Sequence, residues 1–151
     1  MTTAPPAQAP ATEVWKTWER GAPELVVEIT SRSDQERWPW EEKLGRFHEM
    51  GSREVVRFDP EAAPGQRLRV WDRVEGDLVE RVVEGDASPC LVLALWWEVA
   101  PLEDIGHALR LARDVQGRDL LPTPVEAAER RIAELEAELI VERELAQHGR
   151  G

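Results

Sequence analysis

The chain has 151 residues, 30 of them acidic and 19 basic, giving a net charge of −11. That length supports one domain plus an appendage, and the charge argues against a general nucleic-acid coat, which needs clustered Lys and Arg. A single cysteine, Cys90, excludes an internal disulfide and any cysteine-based zinc cluster, and no apolar run approaches the about 20 residues of a membrane span.

The opening MTTAPPAQAPAT lacks the basic-then-apolar order of a signal peptide. It reads as a flexible tail over residues 1–13, and the protein is expected to be cytoplasmic. Trp15 and Trp18 follow at helical i, i+3 spacing. Leu25, Val26, Val27 and Ile29 are β-formers around Glu28, and a run this apolar suggests a strand buried on both faces. A buried carboxylate must be paired, hydrogen-bonded or metal-bound. Glu28 is therefore either a metal-ligand or catalytic acid on a central strand, or a solvent-facing residue of an edge strand.

Trp38-Pro39-Trp40 opens a predicted helix running to about Met50, with Trp40, Leu44 and Phe47 on one face and Gly51 as its stop. A strand is expected over Glu54 to Phe58, broken by Asp59-Pro60. Glu61 to Gln66 is a loop. Leu68–Trp71 and Leu78–Val83 alternate across Glu75-Gly76-Asp77, a hairpin signal. Pro89 to Trp97 is a further apolar segment, and Cys90 within it reads as a small buried hydrophobe. Leu102 to Ala112 suggests a short amphipathic helix. Pro122-Thr123-Pro124 separates body from tail, and Val125, Ala128, Ile132, Leu135 and Leu139 repeat 3-4-3-4 with Glu and Arg between. That repeat is a coiled-coil seam and predicts a homodimer through residues 125–145, weakened by Glu142 at a core position.

No Gly-rich phosphate loop, nucleophile elbow or dinucleotide fingerprint is present. His48, His107 and His148 are scattered without metal-ligand spacing. Among the seven tryptophans, Trp38/Trp40 and Trp96/Trp97 could stack nucleobases, but core packing accounts for them more simply.

Several motifs in fixed order resemble a known family. Trp18-Glu19-Arg20-Gly21 is followed by PELVVEITSRS, then Glu42-Lys43-Leu44, then Met50-Gly51-Ser52-Arg53-Glu54, and then Arg57-Phe58-Asp59-Pro60. This order, over roughly Val14 to Trp97, is similar to that of the Uma-two family of restriction endonucleases, a branch of the PD-(D/E)xK nuclease superfamily. The resemblance implies an α/β restriction-endonuclease-like domain over residues 14–121, incomplete at its N-terminus, with a helical tail over 122–151. It implies DNA as substrate and Mg²⁺ or Mn²⁺ as cofactor, the metal polarising the scissile phosphate and activating a water. By position, Glu28 matches the family's strand acid and metal ligand, and Lys43 the catalytic lysine of the next helix. The read-through alternative for Lys43 is an exposed cation paired with Glu42 or Glu36.

Departures are specific. Thr30 stands where a lysine is usual two residues after the acid, and Phe47, Val55 and Pro39 replace two tyrosines and an aspartate. The first acidic strand, upstream of the W-E-x-G segment in the family, has no counterpart in the 14 residues before Trp15, where Glu13 is the only acid. Glu24 lies four residues from Glu28, roughly 13 Å along a strand, too far to share an ion. Three readings follow: a metal-dependent endonuclease, a non-catalytic interaction module dimerising through its C-terminal helix, or a gene fragment.

Overall fold

A computed structural model describes residues 21–31, 33, 37–103 and 106–149. The expected tail over residues 1–13 and the Trp15/Trp18 pair lie outside the described residues. The elements in chain order are β1 (Leu25–Ile29), α1 (Trp40–Met50), β2 (Glu54–Phe58), β3 (Leu68–Val74), β4 (Asp77–Glu80), β5 (Ala87–Cys90), β6 (Leu95–Leu102), β7 (Gly106–Ala112) and α2 (Pro124–His148). The chain is thus mixed α/β, with a four-stranded sheet β1-β2-β3-β4, a three-stranded sheet β5-β6-β7 and a long C-terminal helix.

The first sheet grows from a β-α-β unit in which β1 runs parallel to β2, Glu28 lying beside Arg57. β3 and β4 then add as antiparallel strands. The hairpin between them turns on Glu75 and Gly76, both with positive φ (51° and 98°), the combination a tight type I′ connection requires. β2 is the most buried strand, with Glu54, Val55, Val56 and Phe58 all 2 % exposed or less.

Strand alternation gives this sheet two different faces. Val56, Leu68 and Val70 point toward the second sheet and form a core with Cys90 and Trp97, closed by Leu25, Val83, Leu95, Val99, Leu109 and Leu111. The other face carries Glu28, Arg57, Arg69 and Trp71 and receives α1. Trp40, Lys43, Leu44, Phe47 and Met50 are the half-buried residues of α1, successive steps of 3, 1, 3 and 3 that fit one side of a helix. Trp40 packs on Trp71 with ring centroids 4.9 Å apart, and Gly51 ends the helix in the left-handed conformation at φ 93°.

Two sequence expectations are corrected. β1 is not buried on both faces: it lies at the end of its sheet, and Ile29 is 62 % exposed. The edge-strand alternative describes it better, although Glu28 itself is half-buried. Leu102 to Ala112 is not a helix. Leu102 ends β6 and residues 106–112 form β7, paired from Trp96↔Ala112 to Leu102↔Gly106. Leu109 and Leu111 pack against the core two residues apart, and that pairing with β6 overrides whatever helical periodicity the segment has. Pro89 sits in β5, the outer strand of its sheet, where a missing N–H is harmless.

α2 begins with a capping box: Thr123 Oγ1 accepts from the Glu126 N–H, and the Glu126 carboxylate accepts from the Thr123 N–H at 2.7 Å. Arg110 ties this first turn to β7 through Glu126 at 2.8 Å. Beyond it no residue of the helix is buried. No helix among the described residues is long and apolar enough to cross a membrane.

Candidate functional site

Glu28 and Lys43 come from different elements and meet. The strand directs Glu28 to the helix-bearing face, α1 turns Lys43 inward between Trp40 and Phe47, and the Lys43 ammonium donates to Glu28 Oε1. Both side chains are mostly shielded, at 19 % and 25 % exposure. Lys43 is therefore not an exposed cation, and its ion pair among the described residues is with Glu28; Glu36 lies outside the described residues.

Arginines continue the row. Arg57, beside Glu28, lies with its guanidinium carbon 5.1 Å from the Trp40 ring centre. Directly across on β3 is Arg69, 4.9 Å over the Trp71 ring and bonded through Nε and Nη2 to Glu80 at 2.7 and 2.8 Å. The Arg69 hydrogen bond holds the Glu80 carboxyl below its usual range, and the same bond raises Arg69. Sequence reading quoted Arg57 only as a motif letter and did not single out Arg69; the signal was the alternation Arg67-Leu68-Arg69 on a strand facing Arg57.

The metal implied by the resemblance does not fit the described residues. Magnesium is held through one or two carboxylates plus water, whereas Glu28 stands between the cations Lys43 and Arg57. Glu24 is turned to Arg53 at 2.9 Å, and no group of three His, Cys, Asp or Glu is placed to hold an ion among the described residues. The histidines do not assemble either: His48 Nε2 bonds Asp77 at 3.1 Å, and His148 Nδ1 bonds the Glu144 carbonyl at 2.9 Å.

Glu54, the glutamate of the Met50–Glu54 motif, serves the fold. It is 1 % exposed, and its Oε2 accepts from the Val92 N–H at 3.0 Å, linking the two sheets. Asp72 faces it across the ladder and takes Arg81, whose Nη2 lies 3.9 Å from Glu54 Oε1. Trp97 is core and Trp40 packs on Trp71, while Trp38 is 41 % exposed with Arg46 over its ring. Neither protein-family models, nor curated proteins, nor solved structures give a match to this chain.

Proposed function

We propose that this chain is a nuclease-type domain of the Uma-two kind that engages a phosphodiester backbone at the Glu28–Lys43 face. The observation that carries the reading is the convergence of the two motif residues, 15 positions apart, into one shielded ion pair. Lys43 supplies an ammonium for phosphate oxygens or for charge developing on them, and Glu28 fixes where that ammonium points. Since the described residues do not make a metal cage, no hydrolytic step is assigned to them. The domain binds, and cutting needs acidic ligands that this face lacks among the described residues.

The test is a short DNA duplex in low salt, with the parent chain, Lys43→Ala and Glu28→Ala, each with and without Mn²⁺. Binding that weakens severalfold in Lys43→Ala, without cleavage, is the expected result. Equal binding by parent and Lys43→Ala would end the reading. Mn²⁺-dependent cleavage abolished by Glu28→Ala would restore a full enzyme in its place.

A second reading, assembly through α2, is favoured by the helix itself. Over 25 residues it buries nothing, and Val125, Ile132, Leu135 and Leu139 stand 66, 56, 42 and 51 % exposed. Val125, Ile132 and Leu139 occupy a positions and Ala128 and Leu135 d positions; two β-branched a residues facing a d leucine suit a parallel pair of helices. Arg131 then meets Glu136 of a second copy, and Glu138 meets Arg143, both with opposite charge. Light scattering at tens of micromolar is expected to give a dimer that Leu135→Glu dissociates. A monomeric parent chain would refute it.

A further inference from the structure

We propose that the cleft beside Arg57, Arg67 and Arg69 is a binding site for a phosphate-class anion, either free or at the end of a larger molecule. It goes beyond the phosphodiester reading because neither Glu28 nor Lys43 lines it. The cleft has a volume of 470 Å³ and runs between the ends of β2, β3 and β4 under the Glu61–Gln66 loop.

Open guanidinium donors carry the inference. Four guanidiniums line the cleft, and they are not equally satisfied. Arg81 is occupied by Asp72, by the Ser88 hydroxyl and by the Pro89 carbonyl. Arg69 gives two N–H groups to Glu80 and keeps Nη1. Arg67 is 14 % exposed, yet its one ion-pair contact, Nη1 to Asp86 Oδ2, is long at 3.5 Å, and its Nε is buried without a partner. Asp86 is meanwhile taken up by the backbone N–H groups of Gly65 and Arg67, at 2.9 and 3.0 Å. Among the described residues Arg57 makes no ion pair, and its Nε is buried without a partner; its guanidinium is held by the Trp40 ring.

Arg57 and Arg69 also face each other directly across the antiparallel ladder, where like charges destabilise. Glu80 already offsets Arg69, and an anion beside Arg57 would satisfy the remaining open donors together. Planar guanidiniums pinned on tryptophan faces are pre-organised for the paired N–H···O geometry of a phosphate. Asp59 and Glu80 also line the cleft, which favours one small anion over a polyanion track, consistent with a chain of net charge −11.

The experiment is calorimetric titration of the whole chain with inorganic phosphate at low ionic strength. Arg57→Gln and Arg67→Gln remove cleft cations, Lys43→Ala changes the neighbouring site, and Arg118→Gln is an exposed control. Saturable binding of about millimolar strength is expected, weakened roughly tenfold by Arg57→Gln and by Arg67→Gln. Arg118→Gln should leave it unchanged. Absence of saturable binding, or equal loss in Lys43→Ala or Arg118→Gln, overturns the proposal. A 5′-phosphorylated dinucleotide competing more strongly than its unphosphorylated form, and more strongly than free phosphate, assigns the anion to the end of a larger molecule. Equal competition by the phosphorylated dinucleotide and free phosphate assigns it to phosphate alone.

Discussion

Replacing Glu54 by Ala and by Gln separates two contributions of one buried side chain. Glu54 accepts from the Val92 N–H at 3.0 Å and faces Asp72 across the ladder, with Arg81 at 3.9 Å from its other oxygen. Ala leaves the part-buried Val92 N–H without an acceptor, at about 1–3 kcal/mol, and opens a void at a site 1 % exposed. A loss of about 3 kcal/mol is therefore expected. Gln keeps an acceptor for Val92 while giving up the charge. That charge is close to Asp72, its Arg81 contact lies beyond hydrogen-bond range, and Oε1 has no hydrogen-bond partner. The lost attraction and the relieved repulsion should nearly cancel, so Glu54→Gln stays within about 1 kcal/mol of the parent. Urea unfolding followed by tryptophan fluorescence reads both, and an unchanged slope keeps the comparison valid. With a slope of about 2 kcal/mol per molar, Ala shifts the midpoint by roughly 1.5 M and Gln by under about 0.5 M. If Gln proves as costly as Ala, the charge rather than the acceptor holds the sheets together, and the reasoning is wrong.

Glu75 adopts φ 51° in the β3–β4 turn, so Glu75→Asn, which creates an Asn-Gly pair, should raise stability by about 0.5 kcal/mol in thermal melts; a drop would refute the turn assignment. Burial raises the Glu98 carboxyl above its usual range, with Asp114 adding to the effect. A raised folded value means the folded state holds its proton more tightly, so this group's contribution to stability grows as pH falls through that value. Glu98→Gln should therefore stabilise the chain at neutral pH and flatten the weakly acidic side of its stability profile, and a profile parallel to the parent's would count against it. Thr123→Ala removes an acceptor of the capping box and should cost about 1 kcal/mol of α2 stability, seen as earlier loss of helical circular dichroism on heating; superimposable melts would show that the cap contributes nothing.

Legibility in the sequence followed the locality of the forces. β2 was bounded correctly because Gly51 and Asp59-Pro60 punctuate it, and α1 because Trp40, Leu44 and Phe47 share a face that the chain itself displays. The β3–β4 turn was legible from Glu75-Gly76-Asp77. β7 was misread because its pairing partner, β6, decides its conformation, and no local residue records that partner. The apolar composition of β1 suggested burial on both faces and left central and edge positions open, because its place at the sheet's end depends on which strands join it. The acid and lysine could be named from motif order. That they would form an ion pair, and that Arg57 would stand across from Arg69 with an open donor, required the register of three strands.

Cys90 gives the core a built-in clock. It is the only thiol of the chain, 1 % exposed between the two sheets, and burial pushes its pKa up, so the folded protein offers almost no thiolate. A thiol reagent in solution can therefore modify it only when the sheets part. The labelling rate counts those separations directly, at a single atom and without any added probe. A rate tracking global unfolding would mean the two sheets open as one unit; a faster rate would mean they part while each keeps its own ladder intact.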